Sequence, residues 1–167
     1  MVVKIYTDGA CSGNPGHGGY GAIICLPDKT KEISGYEKET TNNRMELKSV
    51  VMALLEVYDM IFQEKYKNIE KLEIFSDSAY VVNAINKKWL EFWKNNDFKT
   101  TSGNPVKNSD LWLSLIDQMD VAEFIKLDVS FIKVKGHAGN YFNEKVDKIA
   151  KNEIRKVGKG NGCKEIF

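Results

Sequence analysis

Four acidic residues of this chain have types and positions that could serve metal chemistry. Asp8 follows an apolar, β-branched run and Asp77 follows an alternating run, so each is predicted to end a strand. Glu46 and Asp147 are predicted in the first turns of two helices. If the sheet brings these ends together, all four carboxylates face one crevice.

Four carboxylates in one crevice would repel one another, so the group requires a cation. Oxygen ligands without a neighbouring Cys favour a hard ion, Mg²⁺ or Mn²⁺, over zinc. Two such ions about 4 Å apart can clamp the attacking and leaving oxygens of a phosphoryl displacement. The predicted chemistry is therefore metal-assisted phosphodiester hydrolysis.

Each acid also has a structural interpretation when it is considered alone. Glu46 lies three residues after Asn43, which is the spacing of a capping box. Asp77 could cap the helix that follows it, and Asp147 suits the positive end of a helix dipole. These interpretations stay open residue by residue, but they do not explain why four acids would converge.

His137 stands in a glycine-flanked turn after the last predicted strand, close to the same crevice. Its unperturbed pKa near 6.5 suits a side chain that shuttles a proton to the leaving group or assists product release. A loop histidine without a catalytic role is the alternative.

The elements that must position these residues follow from changes in hydrophobic period. Alternating or apolar runs bounded by Gly, Pro and Asp predict five strands at 2–8, 18–26, 33–37, 71–77 and 128–134. Apolar residues spaced for one helical face predict helices at 43–62, 78–85, 110–116 and 143–157.

A three-strand meander followed by alternating helices and strands predicts an α/β fold with a mixed five-stranded sheet flanked by helices. Strands 1–3 should be antiparallel, whereas strands 4 and 5 should run parallel to strand 1. Ligands bind beyond the carboxyl ends of parallel strands in such sheets. We expect one catalytic domain over 1–157 and a flexible tail over 158–167.

Composition indicates a globular protein, with 43% apolar and 28% charged residues. Because 24 basic residues face 23 acidic ones, any nucleic-acid binding must come from a local patch. Three scattered Cys residues fit a reducing compartment, and no apolar run approaches the length of a membrane span. We expect a free-standing cytoplasmic monomer without a membrane partner.

Six blocks resemble the signature of type 1 ribonuclease H, the bacterial-type ribonuclease HI family. They occur in the family's order and cover the chain from Val3 to about Arg155: Thr7–Cys11, Gly13–Gly16, Thr40–Leu47, Ser76–Ser78, Gly136–Gly139 and Asn143–Asp147. The Thr-Asn-Asn-Arg-Met-Glu block and the Gly-His-Ala-Gly turn are the most specific of them.

The resemblance implies a ribonuclease H fold that cuts the RNA strand of RNA–DNA hybrids and leaves 5′-phosphate and 3′-hydroxyl ends. It implies two Mg²⁺ ions per site, with Mn²⁺ as a possible substitute. It assigns Asp8, Glu46, Asp77 and Asp147 as metal ligands and His137 as the assisting histidine. All five are catalytic residues in this interpretation.

The same resemblance implies where the hybrid is recognised. Three asparagines would contact the minor groove, where amides can bind the 2′-hydroxyl that distinguishes RNA from DNA. A threonine and a further asparagine would form a pocket for a DNA phosphate. Two tryptophans would lie along the DNA strand, although their spacing also suits burial in the core. These residues are, for the minor groove, Asn14, Asn42 and Asn43; for the phosphate, Thr41 and Asn108; and for the DNA strand, Trp89 and Trp93.

The segment 94–99 carries less positive charge than the basic protrusion of well-known bacterial members. Fewer phosphate contacts predict moderate hybrid affinity and a shallow salt dependence. Two alternatives remain: a catalytically silent hybrid-binding module of the same fold, and a nuclease that acts on DNA or on double-stranded RNA.

Overall fold

A computed structural model describes the backbone of residues 1–135 and 139–166, and the side chains of these ranges up to residue 157. The strands are β1 Val2–Ser12, β2 Gly16–Cys25, β3 Thr30–Thr40, β4 Lys71–Ser76 and β5 Asp128–Lys133. The helices are α1 Asn42–Phe62, α2 Ala79–Asn86, α3 Trp89–Asn95, α4 Ser109–Phe124 and α5 Tyr141–Ile166.

The strands form one mixed sheet in the order β3-β2-β1-β4-β5. β1, β2 and β3 are antiparallel neighbours, whereas β4 is parallel to β1 and β5 is parallel to β4. The predicted fold class is confirmed. Because β1 lies in the middle, it has an antiparallel partner on one side and a parallel partner on the other.

Side chains of β1 alternate between two apolar layers, because successive residues of a strand point to opposite faces. Val3 and Ile5 belong to the main core, which also contains buried residues of α1, α2 and α4. Tyr6 faces the other way and packs in a smaller cluster with Val146 of α5. The sheet is therefore covered by α1, α2 and α4 on one face and by α5 on the other.

Helix α5 approaches the sheet closely where β2 has no side chain. A Cβ atom on Gly19 would lie 2.2 Å from the backbone oxygen of Ala150, which no real contact allows. This close packing fixes α5, and with it Asp147, against the centre of the sheet.

The start of α5 differs from the sequence-based prediction. The side chain of Asn140 accepts a hydrogen bond from the backbone N–H of Asn143 at 3.0 Å, so the helix begins at Tyr141 rather than near Asn143. Its backbone is helical through Ile166. The division into a domain over 1–157 and a flexible tail over 158–167 stays a prediction.

Within the described residues, no helix combines the length and the apolarity that a bilayer crossing would require.

Candidate active site

The apolar run before Asp8 predicts that this residue ends its strand. In the structure Asp8 instead lies inside β1. The strand continues to Ser12 because its antiparallel partner β2 stays paired with it, Asp8 opposite Gly21 and Ser12 opposite His17. The parallel pairing with β4 stops earlier, at Tyr6 opposite Phe75. Asp8 therefore lies just beyond the end of β4, where one edge of β1 is uncovered.

Glu46 comes to the same place from α1. Thr41 caps this helix by accepting a hydrogen bond from the backbone N–H of Arg44, so Glu46 lies in the second turn and has no capping role. A Cβ on Gly9 would lie 2.3 Å from the backbone nitrogen of Glu46. Only glycine at position 9 lets α1 approach β1 closely enough for Glu46 to reach Asp8.

Asp77 stands between β4 and α2, at the carboxyl end of the parallel strand. The cap of α2 is Ser78, whose side chain accepts from the backbone N–H of Val81 at 3.2 Å. The capping interpretation of Asp77 is therefore wrong. Its Oδ1 atom is buried and has no hydrogen-bond partner among the residues that the structure describes.

These three acids form a compact group. Asp8, Glu46 and Asp77 each offer a carboxylate oxygen, and these oxygens all lie within 4.8 Å of one another. Asp8 is only 3% exposed and Glu46 only 5%. Glu46 Oε2, like Asp77 Oδ1, is buried without a hydrogen-bond partner in ranges 1–135 and 139–157. Two orphaned oxygens in a buried acidic group are the donor set that a hard divalent cation needs.

The electrostatics of the group show that it is strained without a counter-ion. Burial, and then the charge of Asp77, raise the pKa of the Asp8 carboxyl from 3.8 to about 8. Burial, and then the charges of Asp8 and Asp77, hold the pKa of Glu46 well above its usual range. The hydrogen bond from the Gly9 backbone N–H to Asp8 Oδ1, at 2.9 Å, fixes the orientation of that carboxylate.

Asp147 lies at the edge of this group, in the second turn of α5 rather than in the first. It is close enough to raise the pKa of Asp8 through both a side-chain hydrogen bond and its charge. It does not belong to the three-acid group, and its Oδ2 pairs with Lys151 Nζ at 2.9 Å. Sequence reasoning missed Lys151, although its position one helical turn after Asp147 is a readable signal. The predicted assisting histidine, His137, lies outside the described residues.

The residues predicted to contact the minor groove lie at the start of α1, the helix that carries Glu46, and in the turn bonded to it. Asn14, in the turn between β1 and β2, accepts a hydrogen bond from the backbone N–H of Asn42 at 2.9 Å. Asn14, Asn42 and Asn43 are all exposed. The turn is thus tied to the start of α1, and the side chains of Asn14, Asn42 and Asn43 are exposed at this junction.

The predicted phosphate pocket contains an arginine that sequence reasoning did not single out. Asn108 Oδ1 accepts a hydrogen bond from Arg44 Nη1 at 3.3 Å, and Thr41 caps the helix on which Arg44 lies. Two further bonds, of 2.9 and 2.8 Å, hold the guanidinium against Asp110. Arg44 was visible within the Thr-Asn-Asn-Arg block, but its partners are 64 and 66 residues away in sequence.

The two predicted tryptophans have different environments. Trp89 is 40% exposed, whereas Trp93 is half-buried, with its ring 5.3 Å from that of the fully buried Trp112. The rings of Trp89 and Trp93 are 6.4 Å apart. Trp93 thus anchors the surface on which Trp89 is displayed.

Known proteins resemble this chain over most of its length. The RNase H family model matches residues 1–155. A ribonuclease H of Acetivibrio thermocellus is 46% identical over 157 residues, which cover 94% of this chain and 97% of that relative. LC9-RNase H1, a type 1 RNase H with the type 2 active-site motif, superimposes with a TM-score of 0.73 at 26% identity, covering 93% of this chain and 72% of its own. LC11-RNase H1 in complex with an RNA/DNA hybrid gives a TM-score of 0.66 at 24% identity, covering 93% and 98%.

Proposed function

Since this chain belongs to the ribonuclease H family, we propose that it hydrolyses the RNA strand of RNA–DNA hybrids and leaves 5′-phosphate and 3′-hydroxyl ends. The observation that carries the proposal is the buried group of Asp8, Glu46 and Asp77, with two carboxylate oxygens that have no hydrogen-bond partner in the described part of the chain. A module that only binds hybrids has no use for such a repelling group, which argues against the catalytically silent alternative.

Asp8, Glu46, Asp77 and Asp147 would hold two Mg²⁺ ions, and Mn²⁺ could replace them. Divalent ions bound there supply Lewis-acid stabilisation to the attacking and leaving oxygens of the displacement. The oxygen-only donor set supports this choice of hard ions over zinc.

The chain's own residues orient and shield the reaction. The Gly9 backbone N–H holds Asp8 in place, and the burial of Asp8 and Glu46 keeps bulk water away from their carboxylates. Asp147 would be the fourth metal ligand and comes from α5. The close contact between this helix and Gly19 holds Asp147 in position. His137 would move a proton to the leaving group, an assignment that rests on its sequence position.

We assign recognition of the RNA strand to Asn14, Asn42 and Asn43. An amide both donates and accepts hydrogen bonds, as a 2′-hydroxyl does, so exposed amides next to the acidic group suit an RNA minor groove. The bond between Asn14 and the Asn42 backbone supports this, because it presents the turn and the helix start as one surface.

The DNA strand would lie on the other side of α1. Thr41 and Asn108 would bind one of its phosphates, and Trp89 and Trp93 would contact the strand next to it. The exposure of Trp89 and the anchoring of Trp93 support a stacking surface over simple burial.

The decisive assay offers labelled RNA–DNA hybrid, double-stranded RNA, single-stranded RNA and duplex DNA, each with Mg²⁺, Mn²⁺ or chelator. We expect cleavage of the hybrid's RNA strand alone, abolished by chelator and by Asp8→Asn. Asp59→Asn, which changes an exposed acid on α1, is the matched control and should cleave normally. Cutting that resists the chelator would refute the metal mechanism, and cutting of duplex DNA or double-stranded RNA would favour the alternative nuclease.

We further propose that the enzyme acts as a monomer in the cytoplasm. Among the residues whose side chains are described, Cys11 and Cys25 form no disulfide, which is consistent with a reducing compartment. Sedimentation of the purified protein over a range of concentrations tests the monomer.

A further inference from the structure

The hydroxyl group of Tyr80, on α2, joins two parts of the molecule that the proposed function assigns to the DNA strand. Tyr80 Oη accepts a hydrogen bond from Asn108 Nδ2 at 3.0 Å and another from Trp112 Nε1 at 2.9 Å. An indole N–H can only donate, and so can an amide NH₂ group. The hydroxyl is therefore the acceptor in both bonds.

These bonds fix the orientation of the Asn108 amide. Its Oδ1 atom faces Arg44, a side chain that can only donate, and one N–H of its Nδ2 faces Tyr80. The second N–H of Nδ2 is left to donate to an anionic oxygen. Arg44 holds the oxygen end of the amide and the Tyr80 hydroxyl holds the nitrogen end, so loss of the hydroxyl would leave the amide restrained at one end only.

The same hydroxyl leads to the tryptophan surface. The ring of Tyr80 packs against Trp112 with centroids 5.4 Å apart, and Trp112 packs against Trp93 at 5.3 Å. Trp93 in turn lies against the exposed Trp89. A continuous chain of contacts thus runs from Arg44 on α1 through Asn108, Tyr80, Trp112 and Trp93 to Trp89.

We propose that Tyr80 is a positioning residue, which holds the Asn108 amide ready for one DNA phosphate and aligns that phosphate site with the tryptophan surface. This inference rests on the proposed function for its substrate. Tyr80 itself acts through Asn108 and Trp112, so its removal should weaken binding of the DNA strand more than it slows the chemical step.

The test compares Tyr80→Phe with Tyr58→Phe. The control also removes a tyrosine hydroxyl. Tyr58 lies near the carboxyl end of α1, and its hydroxyl donates to the Gln118 backbone oxygen of α4 at 2.5 Å. Both changes keep the aromatic ring. Hybrid affinity is measured in an Asp8→Asn background, which cannot cleave, with DNA strands in which single phosphates are replaced in turn by neutral methylphosphonate.

We expect Tyr80→Phe to raise the Kd for the unmodified hybrid about fivefold, as loss of one positioned hydrogen bond predicts. With the Asp8→Asn protein as the reference, methylphosphonate at one position of the DNA strand should raise the Kd strongly. Adding Tyr80→Phe should remove most of the rise in Kd that this one position causes. In the cleaving protein, the loss should fall on KM rather than on kcat. Tyr58→Phe should keep the reference Kd and the position-dependent penalty.

Asn108→Asp is the second variant, in case Tyr80→Phe does not fold. It keeps the shape of the side chain and an acceptor for Arg44, but it removes both N–H donors. Methylphosphonate at the sensitive position should therefore no longer raise the Kd of this variant. Retention of the reference pattern by Tyr80→Phe, or equal weakening at every position, would overturn the inference. Failure of the wild-type chain to cleave the hybrid is a separate result, which would refute the proposed function.

Discussion

Replacing Asp8 by Asn should make the metal-free protein more stable, although it abolishes the proposed activity. The side chain is almost completely buried beside Glu46 and Asp77, so its charge is held among other negative charges. Asn has nearly the same shape, and its oxygen can still accept the hydrogen bond from the Gly9 backbone N–H. The substitution therefore removes a charge and keeps the packing.

The size of the effect follows from the pKa of Asp8, which rises from 3.8 to about 8 through burial and the charge of Asp77. A tenfold change in proton affinity corresponds to about 1.4 kcal/mol, so ionised Asp8 costs the folded state on the order of 5 kcal/mol. Asn, like protonated Asp8, is neutral and has nearly the same shape, so most of this cost should disappear in the variant. We expect a gain of roughly 3–5 kcal/mol in the free energy of unfolding above pH 8.

The gain should depend on pH with a definite sign. Between pH 3.8 and about 8 the folded wild type binds a proton that the unfolded chain has released, so its stability falls as the pH rises through this window. The Asn variant lacks this proton. The difference in the free energy of unfolding between the Asn variant and the wild type should therefore be small near pH 4, increase up to about pH 8 and stay constant above that.

Urea unfolding in chelator, followed by circular dichroism across this pH range, measures the difference. Asp117→Asn, which changes an exposed acid on α4, is the control and should change stability by less than about 0.5 kcal/mol. With saturating Mg²⁺, the wild type should gain more stability than the Asn variant, because the metal binds its folded state. A chelated Asn variant that is no more stable than the wild type at high pH would refute this reasoning.

Three further predictions concern the close packing at Gly9, the ion pair of Asp147 and the charge of segment 94–99. Gly9→Ala should destabilise the protein by about 3 kcal/mol or more in thermal unfolding, because its Cβ would overlap the backbone of α1; an unchanged Tm would contradict this close approach of helix and strand. Lys151→Met should lower the Kd for Mg²⁺ about threefold in calorimetry, since it removes a cation that competes for Asp147, whereas Lys156→Met, which breaks the pair with Glu153, should not. Hybrid affinity should be moderate with a shallow salt dependence, because segment 94–99 carries little positive charge. A steep slope of log Kd against log salt would contradict the prediction that this segment makes few phosphate contacts.

Much of the site could be predicted from the sequence because its ligands are set by topology. A strand period followed by a helical one placed Asp8, Asp77 and Glu46 at one end of a sheet, and the structure brings these three together. The exact place of Asp8 could not be predicted, because a strand that keeps only one neighbour continues as long as that neighbour pairs with it. A similar local cause, the Asn140 cap, moved Asp147 into the second turn of its helix.

The contacts that support the site were beyond reach of the sequence for a different reason. Arg44, Asn108 and Tyr80 meet only after α1, α2 and α4 have packed together, and no local pattern encodes such a meeting. The sequence likewise left the role of Trp93 open between burial and binding. In the structure its half-buried ring lies between Trp112 and Trp89 and supports Trp89. Hydrophobic spacing cannot distinguish this role from burial or from binding.

The unequal pairing of β1 has a consequence for how far this fold can vary. β2 accompanies β1 to Ser12, but β4 stops beside Tyr6, and the notch between them is where the acids meet. If the carboxyl end of β4 were longer, its backbone would continue to pair with β1 and fill the notch. Insertions that lengthen the carboxyl end of β4 would therefore close this notch. The length of a single strand, with no change of any acidic residue, therefore decides whether the three carboxylates have room to meet.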